Sequence, residues 1–414
     1  MSYRREVASS RLGGELANAL EAVEAASPVD AVDAVTGKLA AALCAERVAF
    51  LIADLAGRAL VRLGHGDGAG ADARRRGVES AETLPLTDHV IANVLSEQRP
   101  VTVRALDGWR VLAPVTQRGE VVGVLELLLS YEPDDGAVQV VQRAAHILAF
   151  AVIVNRRHTD LFEWGQRTTR FELSAEIQRR LLPGAFTCEG GAFTVSAWLE
   201  PAATIAGDTF DYSVERDALH LSVTDAMGHG VPSALTATLC VGSLRNARRA
   251  GASLLAQAVR ADDAVRTYGK GAFVTGLVGC VDLKSGVLGL VNAGHIAPFL
   301  MREGEITPVQ LPVDLPFGLN AGRGYRRTDL QMEPGDRFVI VTDGMLERRA
   351  AALPLTALLQ RARLLHPREA TRHLADAVLE VAGPQLADDA TIFVLDWHGK
   401  HGRQRDSSAG SDRH

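Results

Sequence analysis

Cysteine is scarce in this chain of 414 residues: four are present, at positions 44, 188, 240 and 280, with no CxxC among them. That scatter excludes a disulfide framework and a thiolate metal centre, and leaves small buried apolar side chains as the reading of all four. Aromatic residues are few as well, 5% of the total. No apolar run approaches the roughly 20 residues a bilayer span requires; the longest, Ala144 to Val154, is interrupted by His146. The charged opening MSYRREVASSRLGG has no apolar h-region behind it, so a secretory reading fails and a cytoplasmic location without membrane contact is expected. Positive charge is not in excess: 44 Lys and Arg face 50 Asp and Glu, a net charge of -6, which gives no basis for a nucleic-acid partner. A P-loop is missing, since Gly269-Lys270-Gly271 lacks both the leading glycine and the trailing hydroxyl. What is present is a globular composition, 47% hydrophobic and 23% charged, on a chain long enough for two or three folded units.

The first half reads as an α+β domain. A helical segment within residues 1–27 is punctuated by Ser27-Pro28, and a second helical run extends to about Cys44. Strands are expected at Arg47 to Asp54 and Leu60 to Leu63, a loop at Gly64 to Asp72, a helix at Thr87 to Glu97, and strands at Pro100 to Val103, Arg110 to Val115 and Val121 to Leu129, the last pair joined across Arg118-Gly119. This order, over residues 28–155, resembles a GAF domain, a small-molecule and signal-sensing fold. The resemblance implies a sensor with a possible ligand; a packing and dimerisation module without one is the other reading. From Asp134 a helix carries Val138, Val141, Ala145, Leu148 and Val152, an apolar stripe with 3-4-3-4 spacing. It either closes the sheet or forms a parallel seam with a second copy; the seam, and so a homodimer through this helix, is the expectation. A further run with Leu173, Ile177 and Leu181 stops at Pro183, which makes residues 156–183 a helical linker.

The second half, residues 184–397, turns to β. Strands are expected at Phe193 to Leu199, Leu219 to Val223, Phe273 to Val281, Leu288 to Asn292, Tyr325 to Met332 and Phe338 to Thr342. Helices at about Pro232 to Ala250 and Ser253 to Tyr268, and two more between Pro354 and Ala382, come in pairs. Many strands with paired helices predict a β-sandwich flanked by helix layers. The tail, 398–414, is expected to be disordered.

Four aspartates in this half share one context, a carboxylate at a strand border beside small residues: Asp208 in IAGDTFDY, Asp225 in LSVTDAMGHG, Asp343 in FVIVTDGMLE and Asp388 in LADDATIFVL. Singly, each could be a turn or a strand start. Strand ends at one edge of a sandwich can instead bring them to a single point, where they repel unless a cation neutralises them. Oxygen-only ligands select Mg²⁺ or Mn²⁺ over zinc or copper. Ala226 can add its backbone carbonyl, and Gly228 and Gly230 allow a tight turn beside the ions.

Read in order, AEIQRRLLP, EPAATIAGDTFDY, TDAMGHGVPSAL, NAGHIAPFL, GDRFVIVTDGMLE and DDATIFVL resemble the successive signature blocks of SpoIIE-type serine phosphatases, members of the metal-dependent PPM family. The resemblance covers Glu176 to Trp397 and implies that Asp208, Asp225, Asp343 and Asp388 form the catalytic metal site with the Ala226 carbonyl. Gly344 and Asp389 match motif positions beside them. The sequence departs from the pattern at Ile205-Ala206 and at Ile296, neither of which removes a ligand. The resemblance further implies two ions that activate water for attack on phosphoserine or phosphothreonine, a STAS-domain anti-sigma-factor antagonist as substrate in partner-switching signalling, and regulation by the GAF-like domain. His229 and His295 lie in the same blocks; they either supply a proton to the seryl oxygen or brace loops, and the bracing role is the expectation. A cysteine-dependent mechanism does not fit, since Cys240 and Arg245 are one residue too close. The remaining alternative is a non-catalytic sensor or scaffold whose C-terminal half only binds a partner protein.

Overall fold

The computed structural model describes residues 20–55, 57–65, 74–76, 79–86, 88–169, 172–200, 207–345, 355–382, 386, 388–402 and 410–411. The chain divides into two compact units, Met1–Arg170 with Arg405–His414, and Phe171–Gln404.

The first unit is built on one antiparallel sheet of seven strands: β1 (Arg47–Ala53), β2 (Ala59–His65), β3 (Arg74–Arg76), β4 (Glu79–Pro85), β5 (Val101–Ala105), β6 (Gly108–Gln117) and β7 (Glu120–Leu129), in the order β3-β4-β2-β1-β7-β6-β5. Period-two alternation sorts its side chains between two faces. Phe50, Ile52, Val61, Val111, Leu125 and Leu127 pack under the helices Ala31–Leu43 and Asp135–Asn155, while Leu51, Leu60, Leu112 and Val124 pack against the helix His89–Glu97. The β6–β7 hairpin turns at Arg118 and Gly119, both with positive φ (49° and 80°), the backbone that a two-residue turn of this hand demands. Strands β3 and β4 were not expected: RRR and ESAETLP hold hardly any β-branched or aromatic residues, and the pairing of β4 with β2 and of β3 with β4 overrides weak local preference. Of the expected loop, 66–72 lies outside the described residues, as do residues 1–19 of the N-terminal segment.

The apolar stripe on Asp135–Asn155 faces inward, apart from Val138, which is half-buried. Val141, Ala145, Leu148 and Val152 are fully buried in the core of their own sheet, so these four close it. The same 21-residue helix is long and apolar enough, by length and composition, to cross a membrane; in this fold its apolar side is core. The tail is described only in part: residues 403–409 and 412–414 lie outside, whereas Gly410 accepts a hydrogen bond from the Gly119 N–H at 3.0 Å and Ser411 is buried.

The second unit holds two six-stranded sheets. One contains β10 (Asp208–Val214), β11 (Ala218–Ala226), β12 (Val274–Asp282), β13 (Val287–Ala293), β16 (Val313–Asp314) and β17 (Arg327–Gln331). The other contains β8 (Thr187–Glu189), β9 (Phe193–Glu200), β14 (Phe299–Arg302), β15 (Glu305–Pro308), β18 (Arg337–Val341) and β19 (Ala390–Trp397). Phe210, Leu221, Val223, Leu277 and Leu290 from the first sheet meet Val195, Phe338, Ile340, Phe393 and Leu395 from the second in one core, the expected sandwich. Alternation sends the intervening residues outward. Val274, Val278 and Val291 lie under the helices Gly230–Arg249 and Leu254–Tyr268, and Val339, Val341, Ile392 and Val394 lie under Leu355–Arg361 and Pro367–Ala382. The helix Leu173–Leu181 belongs to this unit, and its buried face is Ser174, Gln178 and Leu181 rather than the expected Leu173, Ile177 and Leu181; Leu173 is exposed.

Candidate active site

Antiparallel order brings four strand ends to one edge of the sandwich: β10 begins at Asp208, β11 ends at Ala226, β18 ends just before Thr342-Asp343, and β19 begins just after Asp388-Asp389. Asp208 and Asp225 are register partners across β10 and β11. Gly207 makes that approach feasible, because a Cβ built there would lie 2.5 Å from the Ala226 carbonyl oxygen and 3.1 Å from Asp225 Oδ1. Gly344 does the same for the other sheet, where an added Cβ would lie 2.0 Å from the Asp389 carbonyl oxygen.

Asp208 is buried, with two hydroxyls and two carboxylates around it. Thr342 Oγ1 and Thr391 Oγ1 donate to its Oδ2 at 2.7 and 2.6 Å, and Thr391 N–H donates to Thr342 Oγ1 at 3.0 Å, which locks the three groups together. Burial, and next the neighbouring charges of Asp225 and Asp389, push the Asp208 carboxyl well above the ordinary carboxylate range; the two threonine hydroxyls pull the other way. Asp389, buried on the opposite side, accepts at Oδ2 from Gly207 N–H at 3.0 Å and from Gln178 Nε2 at 2.7 Å. Gln178 also donates to the Asp208 backbone carbonyl at 2.8 Å, so one side chain of the helix Leu173–Leu181 ties both sheets together beneath the carboxylates. The Ala226 carbonyl accepts from Ser233 Oγ at 2.9 Å, in the first turn of the helix Gly230–Arg249.

Of the residues expected from the sequence, Asp208, Asp225 and Ala226 are thus gathered into one place. Asp343 opens a short 3-10 turn, Asp343–Met345, rather than a hairpin, and is half-buried. Asp388 is half-buried too, with its Oδ1 accepting from the Asp389 N–H at 2.8 Å. The carboxylates whose charges bear on Asp208 are Asp225 and Asp389. Among the described residues no three His, Cys, Asp or Glu side chains are placed to hold one ion. The departure at Ile205-Ala206 and the run after Met345 lie outside the described residues.

The two histidines divide. His295 is buried, its ring hydrogen-bonded to the Val341 backbone and its Nε2 without a partner; burial brings its pKa down to about 4, so it is a neutral brace between sheets. His229 is exposed at the N-cap of the helix Gly230–Arg249 and makes no side-chain capping bond.

Residues 215–398 match the family Stage II sporulation protein E (SpoIIE). The C-terminal unit is a SpoIIE-type phosphatase domain. Phosphoserine phosphatase RsbU of Bacillus subtilis is 22% identical over 236 residues, which cover 55% of this chain and 70% of that protein. Protein IcfG of Synechocystis is 23% identical over 269 residues, covering 56% of this chain but 42% of the relative, so the chain spans less than half of IcfG. Among solved structures, the SiaA-PP2C domain of Pseudomonas aeruginosa aligns with a TM-score of 0.46 at 22% identity, over 54% of this chain and 93% of that chain.

Within this SpoIIE-type domain, Gln178, Thr342 and Thr391 are site residues that motif reading passed over. For Gln178 a signal existed: it lies one turn from Ser174 on a helix whose apolar residues do not account for its buried side. Thr391 alternates with Ile392 and Phe393 in a strand and carries no such mark.

Proposed function

We propose that this chain is a metal-dependent protein phosphatase that hydrolyses phosphoserine or phosphothreonine. One observation carries the reading: two register-paired aspartates, Asp208 and Asp225, are held face to face with Asp389 close by, an arrangement whose repulsion a bound cation would relieve. The donor chemistry fits Mn²⁺ or Mg²⁺, being oxygen throughout. Asp225, the Ala226 carbonyl and Asp208 would hold the metal, with Asp343 and Asp388 completing the set. When bound, such ions lower the pKa of a water and neutralise phosphate oxygens. The chain's own residues do the remainder. Thr342 and Thr391 fix the rotamer of Asp208, Gln178 and the Gly207 N–H fix Asp389, and Ser233 holds the Ala226 carbonyl in place. His229, exposed at the N-cap of the helix Gly230–Arg249 and without a side-chain capping bond, is the residue we assign as proton donor to the departing seryl oxygen.

RsbU's description as a phosphoserine phosphatase supports a phosphoserine substrate, and a STAS-domain anti-sigma-factor antagonist is the substrate class we assign. The N-terminal unit is read as a GAF-like regulatory domain. The deciding experiment is hydrolysis of a serine-phosphorylated STAS protein with Mn²⁺, with excess chelator, and by Asp225→Asn. Turnover in chelator, or an active Asp225→Asn protein, would remove the two-metal reading and leave the scaffold alternative.

A further inference from the structure

Beside the carboxylate edge, the segment between β16 and Asn320 presents apolar side chains to water: Val313 is 58% exposed, Leu315 41% and Leu319 44%. This is not a loose loop. Val313 and Asp314 pair with Asn292 and Ala293 of β13, and Phe317, its ring fully buried, exchanges two backbone hydrogen bonds with Val274 at 2.9 Å. Asp262, itself buried, accepts from the Gly318 and Asn320 N–H groups at 2.7 and 3.1 Å. Alternation places Val313 and Leu315 on one side of the segment, while Asp314 between them is paired with Arg326 at 2.7 Å. A rigid backbone therefore holds leucines in water where they add nothing to the core.

The strip is close to the site. Ala226 pairs with Val274, and Val274 bridges Phe317, so the middle of the strip at Phe317 stands two strand spacings from Ala226, about 10 Å, while Val313, paired with Asn292 of β13, lies one strand further out. The next residue after Ala226, Met227, is 46% exposed on the path between them and bonds through its N–H to the Phe273 carbonyl. A protein interface of ordinary size covers about 800 Å² per partner, a disc of roughly 16 Å radius. A macromolecule of that footprint delivering a phosphoserine to Asp225 has Met227, Leu315 and Leu319 within its reach.

We propose that Met227, Val313, Leu315 and Leu319 form the docking surface for a folded phosphoprotein substrate, which grips it by apolar contact beside its phosphoserine. This rests on the phosphatase reading above. The fully buried core of a protein interface is its most apolar part, and methionine is enriched in it.

The test compares three substrates in Mn²⁺: p-nitrophenyl phosphate, a serine-phosphorylated STAS protein, and the phosphoserine peptide excised from it. The variants are Leu315→Glu with Leu319→Glu, and, as a control, Leu364→Glu, an 85% exposed leucine at the far end of the second sheet, where Arg337 at the start of β18 bonds the Ala362 and Leu365 carbonyls. The double variant should raise KM for the intact phosphoprotein at least tenfold, about 1.4 kcal/mol, with kcat and p-nitrophenyl phosphate turnover unchanged. Leu364→Glu should change nothing. An unchanged KM, a wild type that prefers the intact protein no more than the peptide, or loss of self-association with KM intact would each overturn the proposal. Failure of the wild type to hydrolyse p-nitrophenyl phosphate would instead strike the phosphatase reading itself.

Discussion

Two helices of this protein, Asp135–Asn155 and Leu173–Leu181, carry apolar residues at helical spacing, and each meets a different kind of neighbour. The first buries Val141, Ala145, Leu148 and Val152 against its own sheet. The second buries Ser174 and Gln178 and leaves Leu173 in water, because what lies beneath it is a pair of carboxylates and a strand end rather than an apolar face. Apolar periodicity tells that a face is covered, not by what. The covering partner is disclosed by the polar residue that is buried with it.

That contrast can be broken most strongly in the first helix. Leu148→Glu should cost the N-terminal unit about 4 kcal/mol or more, since a charge replaces a fully buried side chain. Two melting transitions should result, with the upper one unmoved. A variant that melts as the wild type does, yet loses self-association, would restore the seam. The second helix should respond in activity. Gln178→Leu removes two donors from the carboxylate edge, and turnover should fall roughly 10- to 100-fold, the range for groups that orient ligands. The accompanying loss of stability should be about 1 to 3 kcal/mol, because Asp389 loses a buried donor. Unaltered turnover would reduce Gln178 to a packing residue.

The same helix covers a site with a pH signature. In chelator, the raised pKa of Asp208 means that the folded state keeps a proton the unfolded state has released. Its contribution is fully present below the ordinary carboxylate pKa of about 4 and is lost as pH rises through the raised value. The melting temperature of the metal-free C-terminal unit should therefore fall as pH climbs from mild acid, and Asp208→Asn should flatten that fall. A metal-free unit that became steadily more stable over the same interval would contradict a raised Asp208 pKa. The smallest effect is expected at the exposed end of the second helix, where Leu173→Ser should change stability by no more than about 0.5 kcal/mol and leave turnover alone.

Much of this was legible in the sequence because it depends on local pattern. The alternation of Phe338, Val339, Ile340 and Val341 assigns a strand with two buried faces, and the helices Gly230–Arg249 and Leu254–Tyr268 lie within a few residues of where apolar spacing puts them. Asp208, Asp225 and Ala226 were found because their small neighbours mark strand borders. What stayed hidden depends on contacts between distant segments. Gln178 reaches Asp389 across 211 positions and Thr391 reaches Asp208 across 183, and no local pattern of either residue carries that information. The choice between Asp388 and Asp389 is of the same kind. Both precede β19, and Asp389 is held inward by the Gly207 N–H and Gln178.

Gly207 itself bears on how the site can change. Its missing side chain leaves the Ala226 carbonyl, Ser233 Oγ and Asp225 Oδ1 all within 3.1 Å of where a Cβ would stand. A single methyl there would act as a wedge between β10 and β11, and the separation of Asp208 from Asp225 would widen by whatever the wedge demands. The spacing of the two like charges is thus gauged by a hydrogen atom, and position 207 offers no intermediate setting between that gauge and an opened sheet edge.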